Sequence, residues 1–377
     1  MQKKSNLEYS QLSTPLKSRG RMFREKVSKL RSPYQRDRDR IIHSTAFRRL
    51  KHKTQVFVNT MGDHFRTRIT HSLEVSQIAR TLGKFFNLNE DLCETLSLAH
   101  DLGHTPFGHA GEETLNRCME KSGGFDHNIQ TLRIVTLLEN KYYNFSGLNL
   151  SLETLDGLIK HNGPLKDLKK HELILGKNFF KGKIFFKSRP SLEAQISAIS
   201  DDIAYNSHDL EDGLNANLFN INELNSIPIL KDIINKHKKI SKNFNKELFL
   251  RQIIRDIIDA MVKDVIQNTK ININKAKVKN INNIYNADIP LVSFSAEMIK
   301  FDLSIKNFLK NKMYFNLNVL KKTNKGKKII NFLFKKIKKN PKKFLKNMNN
   351  NNVERRISDF IAGMTDRYAI NLYNDLK

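Results

Sequence analysis

Residues 100–112 read His-Asp-Leu-Gly-His-Thr-Pro-Phe-Gly-His-Ala-Gly-Glu, and these thirteen positions hold three histidines and two carboxylates. Leu92, Leu96 and His100 follow one another at four-residue spacing, so His100 ends an amphipathic helix on its buried side. Asp101 then follows it into the interior. A carboxylate is buried at tolerable cost only when it is paired with a cation or bound to a metal. An ion pair between Asp101 and a neighbouring arginine is one interpretation; we favour a metal site.

A second histidine approaches the same interior from the preceding segment. Thr70 is expected to cap a helix there, because its hydroxyl can accept a hydrogen bond from a free backbone N–H. The apolar stripe of this helix consists of His71, Val75, Ile78 and Leu82. Alone, His71 would be read as a core histidine with a hydrogen-bond partner. Together with His100 and Asp101 it becomes a third metal ligand from an antiparallel helix, and Arg68 would lie beside it.

A third helix is expected to begin at Ser191 and to end at Gly213. One of its faces carries three polar residues at four-residue spacing: Asp201, Tyr205 and Asp209. The adjacent Asp202 groups with Asn206 instead. Two neighbouring carboxylates in an otherwise apolar helix require partners. We choose Asp201 as the metal ligand because Tyr205 shares its face.

Further titratable groups surround this centre. Pro106 suits the first position of a new helix, in which His109 and Glu112 are three residues apart and share a face. Asp126 is expected to cap the next helix, and His127 opens it. His127 is equally compatible with a surface position. Together with His104, the residues His109, Glu112 and His127 are candidates for general acid/base catalysis, because the pKa of histidine lies near physiological pH.

The residue types of the centre indicate which cation it would bind. The predicted ligands are two imidazoles and two carboxylates: His71, His100, Asp101 and Asp201. Such a set suits Mg²⁺ or Mn²⁺ best, with Fe²⁺, Co²⁺ and Zn²⁺ also compatible. Four protein ligands on an octahedral ion leave about two positions open for water or a phosphate oxygen. The predicted chemistry is therefore metal-assisted attack on a phosphoryl group.

The overall composition is that of a large globular protein. The chain has 377 residues, of which 39% are hydrophobic, enough to bury a substantial core in one domain or two. The sequence contains neither a transmembrane-length apolar run nor an apolar N-terminal stretch, so we expect no membrane partner and no signal peptide. The two cysteines do not make a disulfide framework. We expect a cytoplasmic protein.

The formal net charge of +28 suggests affinity for polyanions, either nucleic acid or the phosphates of a nucleotide. The lysines, however, are concentrated with asparagines late in the chain, and residues 321–346 carry twelve lysines and no acidic residue. Aromatic and aliphatic residues in this stretch still form an apolar face, so a basic helix is expected. The charge by itself identifies no substrate.

The order of these motifs resembles the HD superfamily of metal-dependent phosphohydrolases, and more specifically the deoxynucleoside triphosphate triphosphohydrolases, or dGTPase-like proteins. Six blocks carry the resemblance in the family's order: Arg36–Phe57, Arg66–Val75, His100–Glu113, Phe125–Thr131, Asp201–Asp212 and Asp359–Ala369. The resemblance implies an all-α fold, with an HD-domain helical core and additional C-terminal helices. It also implies hydrolysis of a dNTP to a deoxynucleoside and tripolyphosphate, with cleavage between the 5′ oxygen and the α-phosphorus.

The resemblance also assigns expected roles. The metal ligands match His71, His100, Asp101 and Asp201. His104 matches a proton donor and Glu112 its orienter. The residues expected along the α-phosphate are His109 and His127. The expected substrate contacts are Arg68 to phosphate, Tyr205 and Asp209 to the deoxyribose, Gln55 to sugar or base, and Arg367 to the triphosphate. A tyrosine packed against C2′ would exclude a 2′-hydroxyl.

We divide the chain into an N-terminal arm (1–30), expected to be loose, an HD phosphohydrolase core (31–215), and a Lys/Asn-rich helical region (216–377) that completes the site. Within the core, residues 161–190 are expected to form a loop or small hairpin. Expected partners are a dNTP substrate, single-stranded DNA or a nucleotide as effector, and further copies of the chain. Two alternatives stay open: a nucleic-acid-binding protein, and an HD phosphohydrolase acting on another nucleotide or on a nucleic-acid end.

Overall fold

The computed structural model describes residues 10–55, 65–180, 182–240, 245–345 and 352–377. Within these ranges the chain forms sixteen α-helices and no strand, apart from isolated bridges. The expected all-α fold class is therefore confirmed. Residues 1–9 of the expected arm and residues 56–57 of the first matching block lie outside the described ranges.

The helices of the N-terminal half are α1 (Pro33–Ile42), α2 (Thr45–Leu50), α3 (Arg68–Phe85), α4 (Glu90–Ala99), α5 (Gly108–Cys118), α6 (His127–Arg133), α7 (Leu152–Ile159), α8 (Lys169–Leu175) and α9 (Leu192–Asn215). Those of the C-terminal half are α10 (Pro228–Ile240), α11 (Lys246–Lys275), α12 (Ile281–Tyr285), α13 (Ala296–Leu309), α14 (Leu317–Lys339), α15 (Val353–Ala362) and α16 (Asp366–Leu376). A π-helical turn, Lys310–Tyr314, links α13 to α14. The sequence thus continues as helix far beyond its HD-like part.

Side-chain caps explain where the helices that carry the site begin. Ser191 accepts a hydrogen bond from Ala194 N at the start of α9, as expected. Asp126 likewise caps α6 by accepting from the amides of Asn128 and Ile129. Each cap satisfies backbone donors that have no partner within the helix itself.

Three apolar clusters hold the helices together. The first joins α3 and α9 to α10, α11 and α13, and the second joins α1, α2, α4, α6 and α7. The third packs α14, α15 and α16 against α5. At the α5–α14 contact the backbone of Gly326 approaches the Phe107 ring so closely that an added Cβ would lie 2.7 Å from its Cγ. Because the first cluster spans both sides of residue 215, the two proposed regions share a core, and the division there stays a prediction.

Several local expectations need correction. The helix that carries His71 begins at Arg68, and Thr70 lies inside it, where its hydroxyl accepts from Thr67 N at 3.1 Å. Pro106 is not the first residue of α5, because Phe107 adopts a left-handed backbone (φ 63°) before the helix begins. Helix α9 continues two residues past Gly213 to Asn215.

Two segments expected to be irregular are more ordered than their composition indicates. Within residues 161–190 most of the described part is turns and irregular backbone, as the expected loop requires, but it also contains helix α8, and it contains no hairpin. The described part of the N-terminal arm has no helix, but it is not loose. Thr14 donates through its amide and its hydroxyl to Glu193 at 2.8 Å each, and Arg19 N donates to Glu153 at 2.6 Å. Both carboxylates are buried, and buried acceptors need such donors.

Candidate active site

Helices α3, α4 and α9 bring three of the predicted metal ligands together. His71 lies on α3, His100 directly follows α4, and Asp201 lies in the middle of α9. His71 Nε2 is 2.8 Å from Asp201 Oδ1, and one donor atom from each of the three residues falls within 4.8 Å of the others. The 3.6-residue period that places them on buried faces thus makes them converge.

The hydrogen bonds of His100 indicate that the centre suits a cation. Its Nδ1 donates to the carbonyl of Ser97 at 2.6 Å, which leaves Nε2 as a bare acceptor. Among the described residues this buried Nε2 has no hydrogen-bond partner, although it faces Asp101 Oδ1 at 3.4 Å and Asp201 Oδ1 at 3.7 Å. Burial would raise the pKa of Asp201, but the neighbouring His100, His161 and His71 outweigh it and hold that pKa well below its usual range. An acceptor nitrogen among ionised carboxylates fits a divalent ion.

Asp101 combines the two interpretations that the sequence left open. Its Oδ2 accepts from Arg68 Nη1 at 2.8 Å, so the ion pair with an arginine exists. Its Oδ1 points the other way, towards His100 and towards His104 Nε2 at 3.1 Å. One carboxylate therefore anchors Arg68 and still presents an oxygen to the centre.

A second cluster, beside the first, contains the predicted acid/base groups. Glu112 Oε1 accepts from the backbone N of His127 at 2.9 Å and from its Nδ1 at 2.8 Å, while Oε2 accepts from His109 at 3.3 Å. The rings of His104 and His127 stack with centroids 4.0 Å apart. Glu112 therefore orients His127 directly, whereas Asp101 is the hydrogen-bonded neighbour of His104. The expectation that Glu112 orients His104 needs this correction.

The charges and burial within the cluster shift the pKa values of the two stacked rings in opposite directions. Burial lowers the pKa of His127, but the hydrogen bond and charge of Glu112 outweigh it and raise that pKa overall. For His104, burial together with Arg68 and His127 lowers the pKa well below its usual value. The pair therefore holds its proton on His127 in the ligand-free protein. His104, Glu112 and His127 also have spacing compatible with a metal.

Three of the predicted substrate contacts, Gln55, Arg68 and Tyr205, line one cavity of about 240 Å³ next to these clusters. Its walls include four residues expected from the sequence: Gln55, Arg68, His109 and Tyr205. The rest of the lining comes from Phe107, Ala110, Tyr314, Val319 and Thr323. The last three belong to the C-terminal half, so that half contributes to the cavity.

Sequence reasoning missed Tyr314. Its hydroxyl lies 2.5 Å from that of Tyr205 and donates to Asp209, so Asp209 reaches the cavity through a tyrosine. Burial raises the pKa of Asp209 to about 7. Tyr314 lies in the π-helical turn of a Lys/Asn-rich stretch without periodic signal.

His161 was also not predicted from the sequence. Its ring stacks on His100 at 5.4 Å and its Nε2 is 3.7 Å from Asp201 Oδ2.

In two pairs of adjacent residues, the structure shows different surroundings for the two members. Asp202 points away from the centre to Lys306 at 2.7 Å, whose ammonium also contacts Asp302 at 3.0 Å. This favours Asp201 as the ligand. Arg367 is exposed on α16 and does not line the cavity, whereas the preceding Asp366 is buried. The structure therefore does not bring Arg367 to the site.

Two known protein families match parts of this chain. An HD domain model matches residues 68–206, which contain His71, His100, Asp101 and Asp201, and a phosphohydrolase-associated domain model matches residues 292–375. These matches define the class as an HD-domain phosphohydrolase.

Several similar proteins carry one description, deoxyguanosinetriphosphate triphosphohydrolase-like protein. The one from Pelagibacter ubique (strain HTCC1062) is 61% identical over 365 residues, which covers 97% of this chain and 98% of that protein. The one from Bartonella henselae is 45% identical, covering 97% and 94%, and that from Rickettsia bellii is 43% identical, covering 97% of each. The chain belongs to the family of deoxyguanosinetriphosphate triphosphohydrolase-like proteins.

Proposed function

We propose that the protein hydrolyses dNTPs, dGTP among them, to a deoxynucleoside and tripolyphosphate. The observation that carries the proposal is the cavity lined by Gln55, Arg68, His109 and Tyr205, directly beside the His/Asp centre. The relatives' description names a deoxyguanosine triphosphate. His71, His100, Asp101 and Asp201 would hold a divalent ion, with Mg²⁺ or Mn²⁺ favoured, which supplies charge stabilisation and a water of lowered pKa.

The chain's own residues account for the remaining steps. Arg68 is buried beside the centre and its Nε has no partner among the described residues, so it can bind a phosphate oxygen. The oxygen of water bonds to the α-phosphorus and its proton passes to solvent, while the bond from that phosphorus to the 5′ oxygen breaks. The leaving oxygen takes a proton from the stacked His104–His127 pair, in which Glu112 holds the protonated ring.

Product analysis tests the proposal. Purified protein with Mn²⁺ or Mg²⁺ is given each dNTP, alone and in mixture, and GTP, and the products are separated by anion exchange. We expect equal amounts of deoxynucleoside and tripolyphosphate. Diphosphate or monophosphate products, or no product with any mixture and metal, would show that the substrate assignment is wrong.

Tyr205 provides a test of sugar selectivity. Its ring lines the cavity, and we expect it to pack where a 2′-hydroxyl would sit. Tyr205→Ala should lower the ratio of kcat/KM for dGTP to kcat/KM for GTP by about tenfold or more. Tyr205→Phe is the matched control, because it keeps the ring and removes only the hydroxyl that meets Tyr314. An unchanged ratio in the alanine variant would contradict this role.

A second candidate function rests on a basic groove of about 610 Å³ between α5 and α14. Its cationic lining consists of Arg117, Lys327, Lys328, Lys335 and Lys338. Lys327 and Lys338 pair with Glu113 and Glu354, whereas Lys328 and Lys335 are exposed. We propose that the groove binds the phosphate backbone of single-stranded DNA, as an effector site.

Fluorescence anisotropy with labelled single-stranded DNA tests the groove. The double variant Lys328→Glu/Lys335→Glu should weaken binding at low salt by about tenfold or more. It should also flatten the plot of log affinity against log salt by about 0.7 for each phosphate that the protein no longer neutralises. The double variant Lys275→Glu/Lys300→Glu, on α11 and α13, repeats the charge change outside the groove and should behave like the wild type. Equal reductions of affinity in all these variants would indicate nonspecific attraction and contradict a groove site.

Assembly and location are also proposals. We propose a homo-oligomer, because large apolar side chains are exposed, among them Leu30 (94% exposed) and Leu317 (82%). Light scattering after size exclusion measures the mass directly.

No helix in the described ranges is long and apolar enough to cross a bilayer. A cytoplasmic location, where dNTPs occur, is part of the same proposal.

A further inference from the structure

The turn at residues 104–108, which connects His104 to α5, is held from the C-terminal end of the chain. Asp366, the first residue of α16, is 2% exposed. Its Oδ1 accepts from Phe107 N at 3.0 Å, and its Oδ2 accepts from both the amide (3.1 Å) and the hydroxyl of Thr54. One carboxylate thus joins the His104 turn to the backbone next to Gln55.

Lys53 forms a second connection between the same parts. Its side chain is 2% exposed, and Nζ donates to the carbonyl of His104 at 2.5 Å and to that of Ala362 at 2.8 Å. Ala362 is the last residue of α15, four positions before Asp366. A buried ammonium must use its donors in this way. The backbone of the turn is therefore tied to the C-terminal helices at the carbonyl of His104 and at the amide of Phe107.

The backbone of Phe107 explains why the turn needs such support. Phe107 has φ 63°, a left-handed conformation that a bulky residue adopts only when its surroundings enforce it. Asp366 holds its amide, and α14 holds its ring against Gly326. Both restraints come from the region matched by the phosphohydrolase-associated domain.

We propose that Asp366 and Lys53 are positioning residues, through which the C-terminal helices set the geometry of His104 and of the cavity wall at Gln55. This inference rests on the proposed function of the same site. Both residues hold the backbone of the turn and make no hydrogen bond to the side chains of His71, His100 or Asp201. Docking of the C-terminal helices therefore has a strong effect on the turnover number and little effect on the affinity for the metal.

Asp366→Ala and Asp366→Asn test the inference, with Asp375→Ala as the matched control on an exposed aspartate of the same helix. Small misplacements of a catalytic group can cost about a hundredfold in rate. We expect kcat for dNTP hydrolysis to fall about ten- to a hundredfold in Asp366→Ala and less in Asp366→Asn. The Kd for Mn²⁺, measured by electron paramagnetic resonance, should change by less than about twofold. Hydrogen exchange at the amides of His104, Thr105, Phe107 and Gly108 should be faster, and Asp375→Ala should match the wild type in each measurement.

A substrate with a better leaving group separates positioning from general damage. 4-Nitrophenyl triphosphate leaves without needing a proton, so the kcat deficit of the Asp366 variants should largely disappear with it. Lys53→Met, with the exposed Lys51→Met as its control, provides a second pair of variants should Asp366→Ala fail to fold. Wild-type kcat in both Asp366→Asn and Lys53→Met would overturn the inference. A decrease in kcat matched by an equal decrease in Mn²⁺ affinity would overturn it too.

The exchange measurement separates this inference from the proposed function. If the wild-type protein hydrolyses no dNTP, the proposed function fails, and exchange alone decides on the coupling. Faster exchange confined to the amides of His104, Thr105, Phe107 and Gly108 then supports it, and unchanged exchange overturns it.

Discussion

His100→Ala is expected to lower dNTP turnover by about a thousandfold or more, the largest effect of any single substitution. His100 presents a bare Nε2 to Asp101 and Asp201. Losing even a supporting residue of a metal site typically costs about 10- to 100-fold in affinity or activity, and losing a ligand costs more. The Kd for Mn²⁺ should weaken in parallel.

The measurement is steady-state turnover together with Mn²⁺ titration, and the control is His237→Ala. His237 is also buried and pairs with Asp256 at 3.0 Å, but it lies on α10, outside the site. Its removal reports the general cost of deleting a buried histidine, about 1–3 kcal/mol of unfolding free energy. Near-normal activity in His100→Ala, with Mn²⁺ still bound, would show that the centre is not the metal site.

The second large effect is expected for Glu112→Gln, with kcat falling about 10²- to 10⁴-fold and KM changing little. Glu112 holds His127 through Nδ1 and the backbone amide, and its charge raises the pKa of that ring. In the glutamine variant the pKa of His127 falls, so the proton is lost at lower pH. The alkaline limb of the kcat profile should therefore move to lower pH.

Glu113→Gln is the matched control for this change. Glu113 is the next residue on α5, but it is exposed and pairs with Lys327 at 2.5 Å on the other side of the helix from the site. Its variant should retain the wild-type kcat and pH profile. If Glu112→Gln and Glu113→Gln lost activity equally, or if the alkaline limb of Glu112→Gln stayed in place, the role given to Glu112 would be wrong.

Much of the centre was predictable because its ligands lie on long amphipathic helices. The spacing of His71 and His100 with apolar residues placed both on buried faces, and the structure confirms their burial. Asp201 could be preferred to Asp202 because helical periodicity separates adjacent side chains by about 100°. The roles of these residues in binding a metal and substrate stay predictions.

What the sequence did not reveal depends on contacts between distant segments. Tyr314 lies in a π-helical turn, and Asp366 meets Thr54 across 312 positions, so neither shows a local pattern. The left-handed Phe107 could not be foreseen either, since glycine is the residue normally expected at such a backbone position. In the same C-terminal block the resemblance pointed to Arg367 as a substrate contact. The structure instead shows that the neighbouring buried residue, Asp366, makes hydrogen bonds to Thr54 and Phe107.

The opposed directions of Asp201 and Asp202 constrain how α9 can evolve. The carboxylate of Asp201 contacts His71 in the candidate metal centre, and that of Asp202 forms an ion pair with Lys306 on α13. Inserting a single residue upstream in α9 would rotate the following residues by about 100°, so that Asp201 would take the place of Asp202, Asp202 would turn further round the helix, and both arrangements would be lost. Length changes in this helix should therefore be eliminated by selection.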